Sequence, residues 1–455
     1  MTAAARRSRL NLAGLLPSPP LEDLACAALF AFFAMQGSIP GISPAQALEM
    51  TASAPSSLNT VGGIASQAIA NGLIVLLVLR RPRLVLGRVA AVPWLALVAL
   101  LAVASSLWSL DPSVTLRRSI PFALAGLLGV YFAARFPPAR QMAILRLTLV
   151  ALAVATVVFA VFLPGIGLDH TPGHTADWQG VFTQKNACGR MMVLASAVVL
   201  FDERLSLRRL GELGLFGLVL IMSGSRGAWI IEGAVVLLWI LVRFARRWGP
   251  RWRLAVAVAW PAKALVGAVL IFVSYPRLAP LVGRDLTLSG RTAIWAEVAR
   301  SIAEHPWLGY GYDAFWRGMQ GPSLQISSSV HFVVVHAHNG FLEIALELGA
   351  AGLLLFLLTG VRALRQLWVL WIGGAVERIA FPLALLFLVV LYDLDENTLL
   401  LYNGLFWVLT VSALVTIDSV VRDRHHTEAS APHAILDLRR HRLRRLIPRA
   451  AREVQ

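Results

Sequence analysis

The sequence predicts an all-α, polytopic integral membrane protein with about twelve transmembrane helices and a long outer loop that contains short surface helices. Three observations carry that prediction. Hydrophobic residues make up 57% of the chain and charged ones 15%, against about 25% charged in soluble domains. The apolar residues form roughly a dozen runs between Leu21 and Ile417, and the charges collect in the gaps. The runs are continuous rather than alternating, which favours helices over a barrel, and helices satisfy the backbone inside lipid. Core helices of a large soluble protein would not recur end to end in this way.

The expected spans are 21–36, 61–79, 89–107, 119–134, 147–163, 187–201, 211–223, 227–242, 255–274, 340–358, 379–392 and 398–417. The ninth is interrupted by Pro261 and Lys263, so either the lysine snorkels or the span starts later and is kinked. Arginines mark one set of connections: Arg6, Arg7 and Arg9, then Arg80, Arg81, Arg83 and Arg88, then Arg135, Arg140 and Arg146. Arg204, Arg208 and Arg209 follow, with Arg243, Arg246, Arg247, Arg251 and Arg253 after them, then Arg362, Arg365 and Arg378. The positive-inside tendency places both termini in the cytoplasm. The chain divides into a cytoplasmic segment 1–20, a membrane domain 21–420 and a basic cytoplasmic tail 421–455.

A net charge of +16 would suggest nucleic acid in a soluble chain. Here the arginines sit in short connections and in the tail, where anchoring to anionic membrane lipids explains them, and no nucleic-acid partner is expected. Cys26 and Cys188 fall in or beside apolar segments, so neither a disulfide framework nor a thiolate metal site is expected. Three arginines before a proline-rich stretch and a full-length span do not read as a cleavable signal.

The opposite side carries segments 108–118, 164–186 and the long loop 275–339. Loops of that length are commonly functional. Within it, 291–304 reads as an amphipathic surface helix with Ile294, Trp295, Val298 and Ile302 on one face.

The candidate chemistry lies on this side. Arg226 stands in Ser223-Gly224-Ser225-Arg226-Gly227-Ala228, a tight turn that permits close approach of an anion such as diphosphate. A snorkelling arginine is the plain alternative. Lys185 and Arg190 lie where the loop enters the sixth span; Lys185 suits a phosphate as a point charge, and Arg190 is a turn inside, where an unpaired charge is costly. Interfacial anchoring competes. Arg291, beside Ser289 as helix cap, is a second anion ligand or a solvated arginine. Arg117 and Arg118 form another edge suited to phosphate or to anchoring.

The sharpest constellation is His336-Ala337-His338-Asn339-Gly340-Phe341-Leu342-Glu343, two imidazoles at a loop-to-helix junction with a carboxylate a turn into the span. Histidine accepts a proton near neutral pH, and a neighbouring carboxylate orients it, so acid–base work falls to His338. Glu347 repeats the polar face one turn deeper. Zinc is the competing assignment, but the pattern is not His-Glu-x-x-His and no thiols complete it. The loop residues Asp169, His170, His174 and Asp177 are too irregularly spaced to identify a metal. Asp393, Asp395, Glu396 and Asn397 form an outer acidic turn that binds sugar hydroxyls, pairs with the arginines or is simply solvated.

Seven fragments, in order, carry a resemblance: WSLDPSVTLRRS, WQGVFTQKN, GSRGA, SGRTAIW, EHPWLGYG, HAHNGFLE and DENTLLLYNGLFWVL. Together they resemble the O-antigen ligase and polysaccharide polymerase superfamily, and the last looks especially like exopolysaccharide polymerisation proteins of the ExoQ type. That motif has Asp395-Glu396-Asn397 where the family has Ser-Glu-Ser, with Glu396 in common.

The resemblance implies metal-independent, inverting glycosyl transfer without cofactor, from an undecaprenyl-diphosphate-linked glycan donor at the periplasmic face of a bacterial inner membrane. Arg226 and Arg291 would bind the donor diphosphate and His338 would activate or position the acceptor hydroxyl, supported by His336, Asn339 and Glu343. The acceptor is a second lipid-linked glycan for a polymerase or lipid A-core for a ligase, and a chain-length regulator is a further expected partner. A transporter that binds polyprenyl phosphate without chemistry is the alternative from another class.

Overall fold

The computed structural model describes residues 20–38, 40, 61–170, 176–202, 206–259, 291–318, 320–330 and 333–424. In chain order the helices are α1 (Pro20–Ala34), α2 (Val61–Arg80), α3 (Pro82–Val89), α4 (Pro93–Ala104), α5 (Pro112–Arg135), α6 (Pro138–Phe162) and the single turn α7 (Pro164–Gly167). After them come α8 (Lys185–Leu200), α9 (Leu207–Met222), α10 (Arg226–Ala245), α11 (250–259) and α12 (Arg291–Glu304). The chain closes with α13 (Pro322–Val330), α14 (Gly340–Ile372), α15 (Val376–Asp393) and α16 (Leu405–Arg424). Among the described residues there is no strand, only an isolated antiparallel bridge between Leu168 and Trp178.

Local chemistry sets many of these starts. Seven helices open on proline, whose fixed φ suits the first turn and whose missing N–H costs nothing there. Asp111 caps α5 by accepting the Val114 N–H at 3.1 Å, so the helix begins at Pro112, earlier than the expected 119, and takes Arg117 and Arg118 into its first turns.

Five helices, α2, α6, α10, α14 and α16, are long and apolar enough to cross a membrane, and the bent pair α3–α4, turned by 101°, raises this to six. Helices α1, α8 and α9 match expected spans but have 15, 16 and 16 residues. That is about 23–24 Å of rise, short of a roughly 30 Å hydrocarbon core. The described residues therefore give five or six clear crossings where the sequence predicts about twelve spans. The second half of the expected span 255–274, with Pro261 and Lys263, lies outside the described residues, as do Ser289, His174 and the basic tail beyond 424.

Helix α8 is the most enclosed, buried along Ala187–Leu200 against α6, α9, α10 and α15. Its Ala187, Gly189, Ala195, Ser196 and Ala197 allow that close approach. Leu79, Leu100, Phe162, Ile230 and Leu364 face outwards from the bundle, the pattern of a lipid-facing surface.

Ion pairs gather at two ends of the bundle. At one, Glu22 meets Arg81 and Arg135 at 3.3 and 2.7 Å, and Asp418 meets Arg362 and Arg422 at 2.9 and 2.6 Å. At the other, Arg118 meets Asp313 at 3.0 Å, Arg317 meets Asp111 at 3.3 Å, and Arg291 meets Asp395. Each pair joins segments that the arginine pattern assigns to the same side. A missed span between partners would have put them at opposite ends.

Helix α14 departs from the continuous span expected over 340–358. Gly349, at φ 63° and ψ −162°, breaks it, and the segment 306–311 inserts at the break. Tyr310 and Gly311 donate their N–H groups to the Leu346 and Glu347 carbonyls, both at 3.0 Å. Ala350 and Ala351 donate to the Pro306 and Trp307 carbonyls at 2.8 and 3.1 Å. These four bonds pair backbone groups that the break takes out of the helix, as irregular chain within a membrane bundle requires. Beyond the break the helix runs on to Ile372, past the expected end at 358, and Arg362 along it pairs with Asp418.

The expected surface helix over 291–304 is α12, with Ile294 and Val298 buried. They join Phe315, Ile326, Val334, Ala337 and Leu346 in a second small core, which seats α12 and α13 on the outer half of α14.

Candidate functional site

The loop entering α14 is held from both sides. Asn339 accepts the Phe341 and Leu342 N–H groups at 3.1 and 3.0 Å, so its side chain serves as the helix N-cap. Glu343, buried one turn on, accepts the Ala337 N–H at 2.7 Å and the Trp316 indole N–H. Trp295 of α12 donates to the Ala337 carbonyl at 2.9 Å. His338 then adopts φ 49°, a left-handed conformation unfavourable for a residue with a side chain. Its N–H donates to His336 Nδ1 at 3.2 Å, and the two rings lie 4.0 Å apart.

Opposite the imidazoles is the turn that follows α15. Asp393 organises it by accepting the Thr398 and Leu399 N–H groups at 2.9 and 3.3 Å and the Thr398 hydroxyl. The next residues point the other way. Glu396 Oε2 lies 3.5 Å from His338 Nδ1 and 3.7 Å from His336 Nε2, while its Oε1 lies 3.5 Å from the Arg291 guanidinium. Asp395 pairs with the same guanidinium more closely. Of the readings open for the acidic turn, pairing with arginine is the one observed. The pairing also relieves a cation at the positive end of α12.

Arg226 is exposed at the first position of α10, after the turn in which Gly224 has φ 60°. A Cβ placed on Gly227 would stand 3.0 Å from Asp395 Oδ2. The Arg226 turn therefore abuts the carboxylate that holds Arg291, and Arg291 is joined through Glu396 to His338. Lys185 is beside the same turn, since Ser225 bonds Asn186 at 3.2 Å, but its ammonium is paired with Asp177 at 2.7 Å.

Arg190 is buried in α8, with no hydrogen-bond partner for its Nε and its guanidinium 6.0 Å from the Tyr392 ring centre. Its charge acts on both His336 and Glu396. Arg118 is held differently, by the Asp313 carboxylate at 3.0 Å and carbonyl at 2.9 Å, with Tyr402 beneath it. Nothing local in the sequence marks Asp313 or Trp316 as partners of Arg118 and Glu343. The pairs are 195 and 27 residues apart and meet only because 306–318 docks against α5 and α14.

Electrostatics separate the two kinds of group. Burial works to raise the Glu396 carboxyl, but the close approach of His338 and the charges of His336, His338 and Arg190 reverse this and hold it at about 2. Burial, then His338, Arg190 and Arg291, push His336 down to about 4 against the pull of Glu396. At neutral pH the cluster therefore has an ionised Glu396 beside a neutral His336.

His336, His338 and Glu396 place three possible ligand atoms within 4.8 Å of one another. However, His336 Nδ1 already accepts an N–H, which leaves the proton on Nε2, the nitrogen that faces Glu396. Coordination there would require giving up that hydrogen bond. The cluster is better matched to anion binding at the arginines with a proton acceptor alongside.

The sequence also shows likeness to known proteins. A family model described as O-antigen ligase matches residues 213–357, from α9 through the break in α14. The exopolysaccharide production protein ExoQ of Rhizobium meliloti is 28% identical over 64% of this chain and 69% of its own length. The O-antigen ligase of Pseudomonas aeruginosa is 32% identical over 32% of this chain and 31% of its own. The resemblance to the O-antigen ligase and polysaccharide polymerase superfamily, with an ExoQ-like relative, is therefore borne out.

Proposed function

We propose that this chain, an O-antigen ligase-like membrane protein by those likenesses, is a glycosyltransferase that polymerises undecaprenyl-diphosphate-linked oligosaccharide repeats at the periplasmic face of a bacterial inner membrane. The observation that carries the reading is the meeting of Arg291, His336 and His338 on one carboxylate, Glu396, with the Arg226 turn alongside. Cations that converge beside a proton acceptor suit the displacement of a diphosphate.

In this reading Arg226 and Arg291 bind the donor diphosphate, with Arg190 behind them. An acceptor hydroxyl attacks the anomeric carbon, the new C–O bond forms as the bond to diphosphate breaks, and configuration inverts. His338 takes the hydroxyl proton. The guanidiniums stabilise the charge that grows on the leaving diphosphate, work that needs neither a metal nor a nucleotide. The lipid stays in the bilayer, the termini lie in the cytoplasm, and the surface helices bound the space where the sugars meet.

The polymerase preference rests on the resemblance of the terminal motif to ExoQ-type proteins, and an exopolysaccharide production protein of that name aligns over 64% of this chain. The ligase name on the matching domain keeps transfer to lipid A-core as the second reading. Purified protein is to be given lipid-linked repeats with and without lipid A-core, and the products weighed. Oligomers without core are expected, and core-linked product would select the ligase. His338→Ala should abolish transfer while donor binding persists. Transport of the lipid with no new glycosidic bond would overturn the enzyme reading.

A further inference from the structure

Glu396 faces three partners, Arg291, His338 and His336, and closes tightly on none of them. Its Oε1 is 3.5 Å from Arg291 and its Oε2 3.5 Å from His338 Nδ1. His338 Nδ1 is itself buried without a hydrogen bond of normal geometry. The Glu396 backbone is fixed, because its N–H donates to the Tyr392 carbonyl at 2.6 Å. What remains free is the side-chain torsion. Asp395, meanwhile, sits on the Arg291 guanidinium, the place a donor diphosphate would take in glycosyl transfer.

We infer that Asp395 and Glu396 are an internal stand-in for the donor diphosphate, and that its arrival at Arg291 releases Glu396 to close on His338 Nδ1, making Glu396 the positioning residue for the base. This rests on the glycosyl-transfer reading and adds an order to it: donor first, base second. A carboxylate and a phosphate compete for the same guanidinium fork, and the phosphate carries more charge. Once freed, Glu396 has one close set of donors left, the two imidazoles.

The tautomers follow. His336 Nδ1 accepts the His338 N–H, so the His336 proton is on Nε2 and faces Glu396. That ring has no lone pair to spare. In His338 the nitrogen that faces the carboxylate is Nδ1, so a closing Glu396 holds the proton there and leaves Nε2 as the free acceptor. Long contacts of this kind tighten when substrate binds. His338 at φ 49° is the conformation that turns its Nδ1 towards the acidic turn.

The test uses full-length protein in nanodiscs, with undecaprenyl diphosphate as the probe and no acceptor present. Binding to Asp395→Asn should be about ten-fold tighter than to wild type, since an internal competitor worth roughly 1.4 kcal/mol is gone. Unchanged or weaker binding would overturn the proposal. In parallel, ¹⁵N signals of His338, assigned by their loss in His338→Gln, should shift to the Nδ1–H form when the probe is added to wild type but not to Glu396→Gln. No shift in wild type would also overturn it.

With a lipid-linked glycan, Glu396→Gln should lower kcat by about 10²-fold without raising the donor KM, and Glu396→Asp should restore part of it. A raised KM with kcat intact would instead make Glu396 a binding residue and end the proposal. Failure of every glycan to react, with the ¹⁵N shift present, would remove the transfer reading and leave the coupling standing.

Discussion

Glu343 accepts the Ala337 N–H at 2.7 Å and so ties the first turn of α14 to the loop that carries both histidines. The same carboxylate receives the Trp316 indole N–H from the docked segment. One buried side chain thus sets the distance between the loop, the helix and the outer layer.

Glu343→Ala should therefore act on shape before chemistry. It leaves two donors without an acceptor, at about 1–3 kcal/mol each. The expected result is a lowered melting temperature in detergent and a kcat reduced by roughly ten-fold or more, because a small misplacement of a base is costly. An unchanged melting temperature would show that the clamp contributes nothing.

Gly349 offers a clean test of the broken helix. At φ 63°, with a Cβ only 2.3 Å from the Trp307 carbonyl carbon, Gly349→Ala cannot be accommodated without moving the inserted segment. A loss of about 3 kcal/mol or more is expected. Gly360→Ala, in open space further along the same helix, should be neutral or stabilising by up to about 1 kcal/mol. Denaturation of the two variants side by side measures the contrast.

Arg190→Met should cost both stability and function. The guanidinium is buried in α8 with its Nε unpartnered, but its charge helps to hold Glu396 ionised, and removing a cation that compensates a buried carboxylate destabilises by about 1 kcal/mol or more. Binding of undecaprenyl diphosphate should fall, by about ten-fold if the charge supplies 1.4 kcal/mol. Thermal unfolding and a binding titration on the same preparation should both show the loss.

The pH dependence has a definite sign. His336, ordinarily near 6.5, is held at about 4 by burial first and then by neighbouring cations. Between these values the unfolded chain binds a proton that the native state refuses, so stability rises with pH across the window. The contribution is complete above about pH 6.5 and is lost as pH falls through 4. Glu396, held at about 2 against an ordinary 4.5, adds a second loss between those values. Melting temperature against pH should show both steps, and His336→Asn should flatten the upper one.

Much of this protein was legible from residue order. Continuous apolar runs placed the helices, because the runs reflect the solvent that each turn meets. Arginine clusters grouped the connections into two sets, and the ion pairs gather in the same two groups. The spacing of Ile294, Trp295, Val298 and Ile302 gave α12, because an amphipathic stripe is a local property. His336, His338, Arg226 and Arg291 stood out for their chemistry. Tertiary structure alone decided which of them meet. Arg291 and Asp395 are 104 residues apart, Arg118 and the Asp313 carbonyl 195, and no local pattern encodes such contacts. The break at Gly349 was equally hidden, since its open backbone groups are satisfied by a loop some forty residues earlier. Periodicity records how one segment faces its surroundings. Contact between distant segments depends on how all the helices pack at once, and that is why Glu396, marked in the sequence only by its place in the terminal motif, lies at the centre of the site.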